Sequence, residues 1–328
     1  MTKLESKSKI IINYIYIFAL LFCLCLFIFI PELAMQSFFL GIRLWATKVL
    51  PALLPFFILV KLISYTTFTR SIGKFLSPIT YRLYGVCGVS GYIYIMSILS
   101  GYPVGAKLTA EIYKDGGITQ GQAESISAFT STSGPLFVIG SVGIGLFGNQ
   151  KLGIIVLISH FISALINGLI YRQRKDSQLK STLDTNLTPN TQHSLSDTMT
   201  SSIMSILVVG GFIAVFYMVL SLLLHIHAFD GITMLFSLIG VKEEITLSII
   251  AGIVEVTTGA SMLSSQILTF ELQAIILSFL ISFGGLSIHA QAYCFLNTFK
   301  MKYSKFLLQK TTHALLSALV TFLIVLIV

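Results

Sequence analysis

The sequence predicts an all-α polytopic membrane protein of about seven transmembrane helices plus two re-entrant hairpins in an inverted-topology repeat. Three observations lead there. Hydrophobic residues make up 55% of the 328 and charged residues only 10%, with a mean hydropathy of +0.89; soluble domains carry about 25% charge. Apolar runs at 10–30, 152–171 and 203–224 are each long enough to cross about 30 Å of hydrocarbon as a helix. Basic residues fall in short clusters beside such runs, and such clusters mark the cytoplasmic face.

Residues 10–30 form one apolar span broken by Asn13. The span is too long for the core of a cleaved signal, and Pro31-Glu32-Leu33 is a poor cleavage site. Segment 1–32 therefore reads as a retained signal anchor with its N-terminus in the cytoplasm. The basic clusters are Lys3, Lys7 and Lys9; Arg70, Lys74 and Arg82; Arg172, Arg174 and Lys175; and Lys300, Lys302, Lys305 and Lys310. With all four on the cytoplasmic side, 10–30 runs outward and 49–64 returns. Crossings 125–147 and 152–171 turn at Gly148-Asn149-Gln150. That leaves 85–118 to enter and leave by one face, as a hairpin tipped at 100–105 with Lys107, Glu111 and Lys114 on its return arm.

A Ser/Thr/Asn-rich cytoplasmic linker, 173–198, follows. Beyond it 203–224 runs outward to His225-Ile226-His227, and 231–265 forms a second hairpin through the polar Glu255-Val256-Thr257-Thr258-Gly259. Residues 270–296 return and 311–328 cross again. Two repeats result, 33–172 and 199–328, running in opposite senses, with Ser133-Gly134-Pro135-Leu136 loosely matched to Phe283-Gly284-Gly285-Leu286. An inverted repeat with paired discontinuous helices is a transporter signature.

The polar breaks carry the functional reading. Ser100-Gly101-Tyr102-Pro103-Val104-Gly105-Ala106-Lys107 and Thr130-Ser131-Thr132-Ser133-Gly134-Pro135 interrupt apolar sequence. Lipid offers freed backbone groups no partner, so such breaks persist only when buried in protein or lining a wet cavity. Gly101, Pro103 and Gly105 let backbone approach a ligand and restart a helix, and Gly134 and Pro135 do the same from the other side. New helix starts point N–H groups and partial positive charge at an anion. Lys107 reads as the counter-ion, or as a lysine that snorkels to the interface. The hydroxyls of Thr130, Ser131, Thr132 and Ser133 either contact substrate or hold helices together. Tyr102 stacks on a planar ring or belongs to an interfacial belt. Glu255, with Thr257 and Thr258, is the polar centre of the second half: a site for a coupling proton or cation, an acceptor for a substrate N–H, or a solvated tip. His289 and Gln291, just past Gly284 and Gly285, complete the set, although His289 equally suits a packed interface. His160 and His313 read as satisfied interhelical residues.

Other function classes find little support. Cys23, Cys25, Cys87 and Cys294 form no CxxC pair, and His225 and His227 fall short of a metal site. Phosphate-binding, dinucleotide and hydrolase motifs are missing from the sequence, so no enzyme, cofactor or metal is expected. The net charge of +8 follows topology rather than aromatic interleaving, which speaks against nucleic acid. The expected partners are a small-molecule substrate and membrane lipid, with a homo-oligomer left open.

Gly41-Ile42-Arg43-Leu44-Trp45 and Val49-Leu50-Pro51-Ala52-Leu53-Leu54-Pro55-Phe56 resemble the opening of a nucleoside-recognition (Gate) domain. The runs Ser100-Gly101-Tyr102-Pro103-Val104-Gly105-Ala106-Lys107 and Thr132-Ser133-Gly134-Pro135-Leu136-Phe137 narrow the resemblance to the YlbJ-type sporulation integral membrane proteins. It covers about residues 41–296. The resemblance implies a carrier similar to concentrative nucleoside transporters, needed late in sporulation and for a normal spore cortex. It further implies a small anionic substrate, dipicolinate, and the outer forespore membrane as location. A nucleoside or nucleobase carrier of the same fold, and a non-transporting spore-envelope assembly protein, are the alternatives.

Overall fold

The computed structural model describes residues 14, 17–18, 20–64, 66–173 and 195–327. Lys3, Lys7, Lys9, much of the expected anchor, and Arg174 and Lys175 with most of the expected linker lie outside them. Every regular element among the described residues is helical.

Helix α1 (Leu20–Phe29) meets α2 (Pro31–Leu44) at a bend of 107°. Pro31 suits that start, because a first-turn residue needs no N–H donor. A π-helical turn at Trp45–Val49 leads into α3 (Leu50–Ser64). The amphipathic α4 (Phe68–Tyr84) ends on Gly85 at φ +69°. Its last 14 residues, Ser71–Tyr84, stand at 97° to α5 (Val89–Ser100). After a break come α6 (Val104–Lys114) and α7 (Gln120–Thr130). Thr119 and Gln122 close a reciprocal capping box at the start of α7. A second break precedes a π-helical segment, Leu136–Ile144, and Asn149 caps α8 (Gln150–Ile170).

The remaining helices follow from residue 195. The long α9 (Leu195–His225) and short α10 (Asp230–Ser237) lead into α11 (Glu243–Val254) and α12 (Val256–Ser264), which meet at a break on Glu255. Then α13 (Phe270–Phe283) and α14 (Gly285–Leu296) meet at Gly284, and α15 (Tyr303–Val325) closes the chain. Helix α9 begins inside the stretch expected as linker, and the backbone N–H of Gln173 donates to the Tyr84 carbonyl at 2.9 Å. The linker's two ends are thus part of the folded body.

Among the described residues four helices are long and apolar enough to cross a membrane: Gln150–Ile170, Leu195–His225, Phe270–Phe299 and Tyr303–Val325. The number rises to six if each bent pair is one span. The distribution of polarity names the solvent. Helix α15 buries Gln309, Lys310, His313, Ser317 and Thr321 while exposing Leu308, Leu315, Leu319 and Leu323. Polar-inside and apolar-outside is unfavourable in water but suits hydrocarbon. The chain is an all-helical integral membrane protein.

Small residues set the helix spacing. A Cβ on Gly41 in α2 would lie 2.7 Å from the Ala214 Cα of α9, and one on Gly210 would lie 2.6 Å from the Trp45 indole. Such contacts let helices approach where no hydrophobic effect drives them together. Around the centre α8, α13 and α15 pack on one another, and α6 lies against α14. Asn167 of α8 donates to the Ala128 and Gln309 carbonyls, at 2.8 and 3.1 Å, tying α7 and α15 to α8.

Candidate substrate site

All four helix breaks meet in the interior. One cavity is lined by Gly101 and Tyr102, by Ser133 and Gly134, by Glu255, Val256 and Thr257, and by Ile288 and Gln291, with Val49, Leu53, Phe137, Val209 and Ile213 as its apolar wall. The cavity holds about 40 Å³, room for a few waters and not for a planar dicarboxylate. Binding of any larger ligand requires the breaks to part.

The first break is built on glycine. Gly101 sits at φ +74° and ψ −166°, a region only glycine occupies comfortably. A Cβ there would lie 2.7 Å from the Gly134 amide nitrogen. Gly105 presses against the Thr130 carbonyl, so α6 and the end of α7 touch backbone to backbone. Pro103 precedes Val104 at the start of α6, and Pro135 occupies the same place before the π-helical segment. Neither start has a side-chain cap. The Ser97 hydroxyl donates to the Thr130 carbonyl and pairs with the Thr132 hydroxyl at 2.9 Å, bracing the two breaks. Thr130 returns its own hydroxyl to Ile126 at 2.9 Å. The hydroxyls of Ser100 and Ser131 are buried and make no hydrogen bond within the described residues.

His160, read as an interhelical residue, holds the second break in place. Its Nε2 accepts the Ser133 N–H at 2.9 Å. The proton is therefore on Nδ1, which donates to the Ser282 hydroxyl at 2.7 Å. His313 donates from Nε2 to the His160 carbonyl at 3.0 Å.

In the second half, Glu255 is 1% exposed. Its two carboxylate oxygens accept the Thr257 N–H at 3.1 Å, the Thr258 N–H at 2.7 Å and the Thr258 hydroxyl at 2.7 Å. It is the N-cap of α12 and supplies the negative charge that helix start favours. Gly284 and Gly285, at φ +87° and +71°, turn the chain between α13 and α14. His289 lies outside the cavity lining: its Nε2 donates to the Phe283 carbonyl at 2.9 Å, and the Tyr303 hydroxyl sits 3.2 Å from Nδ1. Gln291 lines the cavity and donates to Ser287 at 3.4 Å.

Lys107 faces a different space. Half-buried on α6, it donates to the Ser205 hydroxyl of α9 at 3.2 Å. It lines a wider pocket of about 370 Å³ with Phe57, Lys61, Glu111, Ser201 and Phe295. Pro103 and Gln291 also border this pocket, and Gln291 lines both spaces.

The cation at the breaks is Lys310. Assigned by sequence to the cytoplasmic cluster, it is instead 1% exposed, two turns inside α15. Its Nζ donates to the Tyr102 hydroxyl and, at 3.1 Å, to the Ser131 carbonyl, and lies 4.6 Å from the Tyr102 ring centre. The signal was present: Gln309, His313, Ser317 and Thr321 recur every fourth residue along the helix, and beyond His313 the last two stand on an otherwise apolar stretch, which marks an inward polar face. Among the described residues no three His, Cys, Asp or Glu side chains form a metal-binding group.

No family model matches the sequence, and no solved structure matches the fold. The chain is 30% identical over 318 aligned residues to the sporulation integral membrane protein YlbJ of Bacillus subtilis (strain 168), covering 90% of this chain and 78% of the relative. The SGYPVGAK break, the STSGP break and the helical body around them thus sit in a chain that belongs to the YlbJ family of sporulation integral membrane proteins.

Proposed function

We propose that this protein is a carrier for a small planar dicarboxylate, dipicolinate, working by alternating access at the central cavity in the outer forespore membrane. The observation that carries the reading is the convergence of Gly101–Tyr102, Ser133–Gly134, Glu255–Thr257 and Gln291 on one buried space. Discontinuous helices at membrane depth are costly unless their freed backbone groups meet a ligand. The helix breaks present in both halves support an inverted pair, 33–172 and 199–328, each a crossing, a hairpin, a broken crossing and a crossing. With an anchor at 1–32 and a linker at 173–198, that scheme has seven crossings, two re-entrant hairpins and a cytoplasmic N-terminus.

In this reading the wider pocket is a vestibule. Lys107 and Lys61 attract the dianion, and Gln291 and Pro103 stand between vestibule and centre. The small cavity is a closed state, and transport parts the glycine contacts first on one side and then on the other. Glu255 is already bonded to its own helix start, so it spares an entering dianion part of the repulsion of a bare carboxylate.

Uptake of radiolabelled dipicolinate into proteoliposomes tests the proposal. Saturable uptake is expected, unaffected by uridine, with Lys107→Ala raising KM more than it lowers the maximal rate. Uptake that uridine competes away identifies a nucleoside carrier instead. No uptake of either compound by folded protein overturns transport and favours an assembly role in the spore envelope.

A further inference from the structure

We propose that Lys310 is the residue that makes the central site select an anion, acting through the Tyr102 hydroxyl. The inference deepens the carrier reading and rests on it only for the identity of the probe. Lys310 reaches the breaks from α15, outside both of them, and grips each: Tyr102 in the first and Ser131 in the second. Among the described residues no carboxylate lies within ion-pair distance of its Nζ. An uncompensated cation inside a membrane protein is among the most expensive arrangements a chain can keep. Its neighbours within the fold, a phenol and a carbonyl, solvate the charge without cancelling it.

What would cancel it is a negative ligand in the adjoining cavity. Tyr102 lies between the two: its hydroxyl accepts from Lys310, while the residue lines the cavity beside Gly101, Ser133 and Gly134. A hydroxyl that accepts from a cation keeps its own proton free to donate, and donates more strongly for being polarised. A carboxylate entering between Gly101 and Gly134 receives that proton's hydrogen bond with the ammonium charge behind it. Lys310 is thus a positioning and specificity residue, and Lys107 belongs to the vestibule.

The test is equilibrium binding to the full chain in lipid nanodiscs, using radiolabelled dipicolinate and its neutral analogue pyridine-2,6-dicarboxamide. Wild type is expected to prefer the dianion. Lys310→Met should weaken dianion binding about thirtyfold, leave the dicarboxamide within about threefold, and melt at or above the wild-type temperature because an unpaired buried charge is gone. Lys310→Arg should keep the preference for the dianion. A purely structural lysine would lower the melting temperature and weaken both ligands together, and that result overturns the proposal. So does a folded Lys310→Met protein that still prefers the dianion. If that variant does not fold, Tyr102→Phe decides: it keeps the ring and the cation but should lose about tenfold on the dianion, and no loss overturns the proposal. Wild type that binds the dianion but does not transport it removes the carrier reading and leaves Lys310 in place; wild type that binds neither ligand, or both equally, overturns the selectivity assignment.

Discussion

The breaks of the first half and those of the second are built alike and finished differently. In the first half the helix starts at Val104 and Leu136 have no side-chain cap, the Ser100 and Ser131 hydroxyls have no partner, and a buried cation stands behind Tyr102. In the second half one start is satisfied and one is not: Glu255 takes N–H groups of the first turn of α12, whereas α14 starts after Gly284 without a side-chain cap, and His289 donates to the Phe283 carbonyl before the glycine turn. Free donors and an unpaired cation suit an incoming anion, whereas a start that already holds its own carboxylate repels one. A repeated backbone is therefore no guarantee of repeated chemistry.

The glycines that make the breaks should separate the halves most sharply. Gly101→Ala puts a Cβ 2.7 Å from the Gly134 nitrogen at a φ and ψ alanine avoids, a cost of about 3 kcal/mol. Gly284→Ala meets nothing closer than 3.4 Å and costs about 1 kcal/mol for its left-handed backbone. Thermal unfolding of the two purified variants measures the gap, and equal melting temperatures would break the comparison. Next in size is Glu255→Ala, which strips two N–H groups and a hydroxyl of their acceptor. A loss of about 2 kcal/mol is expected in the same assay, while a change under about 0.5 kcal/mol would mean that water caps α12 as well. The smallest effect belongs to the Lys305–Glu124 bridge, which joins α15 to α7 at 2.5 Å with the lysine 46% exposed. Lys305→Ala should cost between roughly 0 and 1 kcal/mol, and less at high salt.

Much of this was legible in the sequence because lipid makes exceptions conspicuous. Ser100 to Gly105, Ser131 to Pro135, Glu255 and Gly284 stand out where every neighbour is apolar, and those four interruptions are the ones that meet. The polar run at 100–105 is a break between α5 and α6. Lys107 was equally visible and lines the adjoining pocket instead, because a residue four past Pro103 points from the side of α6 rather than from its start. Lys310 was misplaced for a simple reason. It follows Lys300, Lys302 and Lys305 closely in sequence, and hydropathy averages over a window that blurs the step from an exposed first turn to a buried second one. His160 was legible as a satisfied interhelical residue, but its partner was not, because nothing local shows that a ring nitrogen will serve a backbone N–H 27 residues away.

The last helix has a consequence for how the protein is made. Asn167, Ser127 and the Ser131 carbonyl belong to elements that leave the ribosome early, yet each finds a partner on α15: Asn167 and Ser127 on Gln309, the Ser131 carbonyl on Lys310. Asn167 and Ser127 also bond to earlier elements, at the Ala128 and Glu124 carbonyls, so the Ser131 carbonyl is the group left waiting for α15. Assembly of the described residues therefore has a locking step at α15, which brings the Ser131 carbonyl its lysine donor.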